Sequence, residues 1–275
     1  QLRKLDTPYV DFYILHAMNN ERMDAMQKLD YKRFYAEAIA QGKVRYPGFS
    51  FHDDAKAFLR ILHDWDQWGM CQVQMNILDD ENQATLEGIR EAGRRGVGVV
   101  VMEPLRGGLL ANPPADVKAV YDAYAVQRSP VEWGFRYLYA MPEVITILSG
   151  MSTGEQVTDN LRIFDMAKRP TLTAEELALY QKVKATYLAR TKTRCTGCKY
   201  CQPCPMGVQI PRIFQGYDAA MLRADSSFKA GYAQIQADHA DASQCIHCRK
   251  CERSCPQHLP ITRFLEEIHA ASTAE

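Results

Sequence analysis

The sequence predicts a parallel α/β fold, followed by a smaller, mainly helical domain. Three observations carry this reading. Up to Asp165, short apolar runs rich in β-branched and aromatic residues alternate with longer stretches of helical period. After Pro170 the strand signal stops and helical spacing takes over. Eight of the nine cysteines then fall in the last third of the 275 residues, in two tight runs.

Taken in order, strands are predicted at 10–15, 44–49, 70–75, 97–102 and 144–148, each separated from the next by enough chain for a crossover helix. In a parallel sheet covered by helices, functional residues collect just after the strands, at their C-terminal ends. Beyond the last strand, Thr173-Ala174-Glu175-Glu176 reads as a capping box, with Leu177, Tyr180, Val183, Lys184, Tyr187 and Leu188 at helical spacing behind it. This predicts a helical bridge at 171–190, between a barrel-type domain at 1–170 and a third segment at 191–275. Within that segment, 210–222 and 228–235 read as helices lying between the cysteine runs.

Composition narrows the function classes. A hydrophobic content of 47% is ample for a large core. Lysine plus arginine and aspartate plus glutamate both number 33, so no net field steers the chain to nucleic acid or to an anionic membrane. No run approaches the length of a membrane span, and Gln1-Leu2-Arg3-Lys4-Leu5-Asp6 has none of the features of a signal peptide. A soluble, cytoplasmic protein is the expectation, with neither nucleic acid nor membrane as a partner.

The cysteine runs are Cys195-x2-Cys198-x2-Cys201-x2-Cys204-Pro205 and Cys245-x2-Cys248-x2-Cys251-x3-Cys255-Pro256. Two-residue gaps let three thiolates of one loop face a common point, and the proline turns the chain away afterwards. The second run has the full bacterial ferredoxin spacing, in which the fourth cysteine serves the other cluster. Two 4Fe-4S clusters are therefore expected, one on Cys195, Cys198, Cys201 and Cys255 and the other on Cys245, Cys248, Cys251 and Cys204. The first run is one residue short before Cys204. Four-thiolate zinc is the competing use of such pairs, but it employs two pairs set further apart. Disulfides do not suit eight cysteines in two short loops beside a cysteine-poor domain. Cys71, alone in an apolar strand, reads as ordinary core.

Each predicted strand ends in a distinctive phrase. These are Asp11-Phe12-Tyr13-Ile14-Leu15-His16, Gly48-Phe49-Ser50-Phe51-His52, Gln72-Val73-Gln74-Met75-Asn76, Met102-Glu103-Pro104-Leu105-Arg106-Gly107-Gly108-Leu109 and Leu148-Ser149-Gly150-Met151-Ser152. In that order, and with both cysteine runs, the chain resembles the aldo-keto reductase family, specifically its branch with a C-terminal ferredoxin-like domain. The resemblance implies a TIM-type (β/α)8 barrel of which strands four to eight lie in this chain. It also implies an oxidoreductase that moves hydride between NADP or NAD and a small-molecule carbonyl substrate, with the clusters exchanging electrons with a redox partner protein. An electron-transfer protein whose barrel has no reductase activity is the alternative, and clusters that only stabilise their domain are a third reading.

Carried over residue by residue, the resemblance makes His16 the active-site histidine that orients and polarises the carbonyl oxygen. Ser50 and Gln72 match positions that hydrogen-bond the nicotinamide carboxamide, and Met102 stands where many members stack an aromatic ring on the nicotinamide. Phe51 takes a place where the wider family often has asparagine, with His52 next to it. Leu105, Gly107 and Gly108 belong to a stretch expected to cover the pyrophosphate. Gly150, Ser152, Thr153, Gln156 and Asn160 sit where the adenosine phosphate end would lie. Arg162 is the cation nearby. The family's catalytic tyrosine, aspartate and lysine belong to the first three strands, and five strands cannot close an eight-stranded barrel. The expectation is a fragment that starts in the helix before the fourth strand.

Overall fold

The structure, a computed structural model, describes residues 1–165, 169–195, 197, 199–255 and 257–274. Five parallel strands form one sheet in sequential order: β1 (Val10–Met18), β2 (Val44–Phe51), β3 (Met70–Gln74), β4 (Gly98–Met102) and β5 (Val144–Ile147). Every predicted strand is present. The sheet is connected by α1 (Leu2–Leu5), α2 (Asn20–Lys28), α3 (Tyr31–Ala40), α4 (Ala55–Asp64), α5 (Thr85–Arg94), α6 (Ala115–Asp122), α7 (Pro130–Tyr139) and α8 (Gly154–Phe164). The later part of the chain is helical, with α9 (Ala174–Arg190), α10 (Ile210–Arg223), α11 (Ser227–Ala237), α12 (Lys250–Ser254) and α13 (Ile261–Thr273).

Two compact units emerge. The first comprises 1–112 and 126–180, and the second 113–125 and 181–275. In the first unit the period-2 alternation of each strand sorts its residues between the two faces of the sheet. Phe49, Cys71, Val73, Val99 and Val101 are fully buried on the face that packs the helices. Trp68 stacks on Tyr31 at 5.6 Å and meets Phe49 edge-on at 5.0 Å, and each such ring removed from water is worth roughly 2–3 kcal/mol. Burial pushes the Cys71 thiol up to about 12, so it packs as an inert core group. The opposite face is more open. Register partners Phe12 and Tyr46 stack there at 5.3 Å and remain 46% and 51% exposed, and Ile145 is 49% exposed.

The capping box at the start of α9 forms as the sequence predicts. The Glu176 amide donates to Thr173 Oγ1 at 3.2 Å, and the Thr173 amide donates to Glu176 Oε2 at 3.1 Å. Arg136 of α7 grips both Glu176 oxygens at 3.0 Å. Burial by itself would raise the Glu176 carboxyl, but Arg136 and Thr173 outweigh it and hold it below the ordinary carboxylate value. A depressed folded value contributes stability above the unfolded pKa, and that contribution is lost as pH falls through the folded one. Glu176→Gln should therefore cost about 3 kcal/mol at neutral pH, the scale for breaking a buried ion pair. The gap from native should close in acid, as measured by urea unfolding across pH.

The second unit has its own core, in which Ile213, Phe214, Tyr232, Ile235, Leu265 and Ile268 of α10, α11 and α13 interlock. Cys195, Cys201, Cys204, Cys245 and Cys251 pack against this core.

Candidate cofactor cleft and thiol cavities

The strand ends bring the predicted barrel-domain residues together. Ser50 of β2 and Gln72 of β3 are register partners, and Gln72 pairs in turn with Val100 of β4. The Gln72 amide donates to Met102 Sδ at 3.6 Å. Ser50, 1% exposed, accepts the Ala17 amide on Oγ at 2.7 Å. That bond secures an irregular end of β1, where the register shifts between Leu15 and Met18 and Ala17 adopts φ 52°. Arg22 clamps the same bend by donating to the carbonyls of His16 and Ala17 at 3.1 and 2.8 Å. His16 is left exposed beside this bend. Phe51, by contrast, turns to the helix side and is fully buried, 5.2 Å from Phe58, while His52 is exposed.

Beyond β4 and β5 lies a cleft of about 580 Å³. Leu105, Gly107 and Gly108 line one side, and Gly150, Gln156 and Asn160 the other, so six residues picked out by sequence share one wall system. A Cβ added at Gly107, Gly108 or Gly150 would meet no atom within 4 Å. Gly107 and Gly108 hold φ of 62° and 91°, the region that glycine alone enters without strain. Ser152 and Thr153 do not line the cleft and instead build the start of α8. The Ser152 amide donates to Gln156 Oε1 at 2.7 Å, and Thr153 Oγ1 accepts the Gln156 amide at 3.3 Å. Asn160 donates to Ser149 Oγ at 2.8 Å. Arg162 is tied to Asp159 and Glu132 at 2.8 and 3.0 Å and does not line the cleft, whereas Glu103 and Asp159 do.

Sequence reasoning missed the network that holds the glycine turn. Asn76 is fully buried, takes the amides of Leu78 and Asp79 on Oδ1, and donates to the Glu103 carbonyl at 3.2 Å. Asp79, 7% exposed, accepts from Asn76 at 2.9 Å, Gln74 at 3.1 Å and Arg106 at 3.2 Å. The carboxylate thus ties the end of β3 to the turn after β4. The position of Asn76 and Asp79 just past an apolar strand was the available signal.

In the second unit the cysteines line two cavities. One gathers Cys204, Cys245, Cys248 and Cys251, and the other Cys195 and Cys255. Cys201 and Ile210 line both, so the cavities share a wall. Cys198 lies outside the described residues. Burial pushes the Cys251 thiol up to about 11 and raises that of Cys245. Among the described residues, no three of His, Cys, Asp or Glu are arranged around a single-ion site.

Two further side chains set these loops. Asp218 of α10, 7% exposed, accepts the amides of Lys192, Thr193 and Arg194 at 2.8, 3.0 and 2.7 Å and the Thr193 hydroxyl at 2.7 Å. Thr193 Oγ1 in turn accepts the Cys195 amide at 3.2 Å. Glu252, next to Cys251, accepts the Thr262 amide and hydroxyl at 2.9 and 2.7 Å and so caps α13. Neither acceptor was identified from sequence.

Residues 1–184 match the aldo/keto reductase family. The chain belongs to that family. Residues 194–259 match the 4Fe-4S dicluster domain. Among solved structures, the aldo-keto reductase of Bacillus halodurans in its holo form is 27% identical with a TM-score of 0.54, covering 66% of this chain and 63% of its own. The apo form gives 27%, 0.53, 66% and 64%. A thermostable aldo-keto reductase in complex with epalrestat is 26% identical with a TM-score of 0.50, covering 66% of this chain and 62% of its own. This chain thus spans less than two thirds of the length of these relatives. No curated protein matched. The sequential order of five parallel strands and this likeness make the first unit a TIM-barrel-type α/β fold, as the sequence implies. Among the described residues no helix is long and apolar enough to cross a membrane.

Proposed function

We propose that this family member reduces small-molecule carbonyls with NADP or NAD and carries two 4Fe-4S clusters that exchange electrons with a redox partner protein. One observation carries the reading: the cleft beyond β4 and β5, whose glycine walls leave backbone room for a pyrophosphate. The dinucleotide supplies hydride when bound, and the clusters supply one-electron steps. The chain's own residues do the rest. The turn at Leu105, Gly107 and Gly108 faces the pyrophosphate, and Gly150, Gln156 and Asn160 face the adenosine end. Ser50 and Gln72 orient the carboxamide, the Met102 thioether packs on the ring, and His16 donates a hydrogen bond to the substrate oxygen. Cys195, Cys198, Cys201 and Cys255 hold one cluster, and Cys204, Cys245, Cys248 and Cys251 the other. The wall shared through Cys201 and Ile210 favours electron passage between them over a purely structural role.

The test uses full-length protein prepared without oxygen. It should contain about eight iron and eight sulfide, and His16→Ala should slow aldehyde reduction about 100-fold while dinucleotide binding holds. Stoichiometric zinc without sulfide would remove the clusters from the proposal, and an unchanged rate would remove His16.

A further inference from the structure

We propose that the surface over Cys204, Cys245, Cys248 and Cys251 is the docking site of an acidic one-electron carrier protein, and that electrons enter or leave through the cluster held there. This rests on the reading of the cysteines as redox cluster ligands.

The two cavities differ in access. Cys248 is exposed at the first, and its rim carries Ile246 and Met206, which are 59% and 42% exposed. The second is walled by Pro211, Phe214, Leu259 and Ile261, with Cys255 only 9% exposed. Electron exchange between proteins favours the centre nearest the surface, and exposed apolar side chains beside it supply contact area that a solvated loop would not need.

Charge identifies the partner. Between Ser243 and Ser254 the chain has Arg249, Lys250 and Arg253 against one carboxylate, Glu252, in a protein whose overall charge is zero. All three cations are exposed. Lys250 and Arg253 make no ion pair among the described residues, and Arg249 approaches Glu252 only to 3.9 Å. Glu252 is already committed to Thr262. Glu266, which approaches His247 at 3.5 Å, is the second carboxylate near the rim, so the cations there outnumber the carboxylates three to two. An apolar centre ringed by exposed cations in excess of the nearby carboxylates complements an acidic surface and steers its approach. Over the other run Tyr200 is 69% exposed, but among the described residues a single cation, Lys199, lines that cavity.

The experiment mixes cluster-loaded full-length protein with a reduced plant-type ferredoxin, an acidic one-electron carrier, in anaerobic stopped flow. The native rate should fall steeply between about 10 mM and 0.5 M salt as the attraction is screened. Arg249→Glu with Lys250→Glu should slow transfer about tenfold or more at low salt with iron and sulfide unchanged, while Lys229→Glu, at an exposed position of α11 that lines neither cavity, stays near native. If the double variant loses iron, Ile246→Glu and the native salt dependence decide instead. A salt-independent native rate, or an equal loss in Lys229→Glu, overturns the assignment. Reduction by dithionite but not by ferredoxin at any salt overturns the docking partner and spares the electron-transfer reading, whereas reduction by neither overturns both.

Discussion

Asp218→Ala is expected to strip one cluster from the protein, leaving about four iron per chain where about eight are expected. The carboxylate accepts three consecutive amides and one hydroxyl from Lys192, Thr193 and Arg194, the residues that lead directly into Cys195. Removing it strands donors in a buried site, at about 1–3 kcal/mol for each group that finds no new partner. Arg194 holds φ 51°, an unfavourable conformation that the bonds to Asp218 help to maintain. Without them the loop should relax, and Cys195 with it. The Cys204, Cys245, Cys248 and Cys251 set is anchored separately through Glu252 and Thr262, so that cluster should persist. Asp218→Asn, which keeps one acceptor oxygen, should fall between. Asp238→Ala removes an exposed 3.5 Å pair with Arg212 and an exposed 3.0 Å hydrogen bond from Gln234, and should change neither iron content nor Tm appreciably. Full iron and an unshifted Tm in Asp218→Ala would mean the carboxylate does not position the loop.

The contrast between Asp218 and the cysteines shows what was legible from sequence. Thiol spacing is local, so the two runs could be read off directly. Asp218 lies more than twenty residues from the loop it organises, inside a helix whose other polar residues face water, and nothing in its neighbourhood in sequence marks it as buried. Strands were legible because β-branched runs between helical stretches have few alternatives, and their ends placed Ser50, Gln72 and Met102 side by side. Period-2 alternation also separates Ser50 from Phe51, which packs on Phe58 on the opposite face, so those neighbours could not both face a cofactor. At the start of α8, local capping competes with anion binding for the same backbone amides. A single sequence cannot decide between them, and Ser152 and Thr153 are found in the cap. Asn76 and Asp79 hold the glycine turn through contacts to Glu103 and Arg106 across a strand pair, which only the register reveals.

Replacing Gly108 by valine should weaken dinucleotide binding by about tenfold or more, roughly 1.4 kcal/mol. Two effects combine. At φ 91° a β-branched residue is strained by about 1–2 kcal/mol, which pulls on the turn that Asp79 and Asn76 secure. The new side chain also stands at the cleft wall, where an added Cβ has open space now and would compete with a bound pyrophosphate for it. Gly96 separates the two causes. It ends α5 with φ 72°, likewise has no atom within 4 Å of an added Cβ, and does not line the cleft. Gly96→Val should therefore lower Tm by a few degrees, as about 1–2 kcal/mol of strain does in a chain of this size, while leaving the dissociation constant for NADPH or NADH near native. Gly108→Val should lower both. Equal loss of binding in the two variants would mean that general destabilisation, and not the shape of the cleft, governs affinity. Native affinity in Gly108→Val would place the dinucleotide elsewhere.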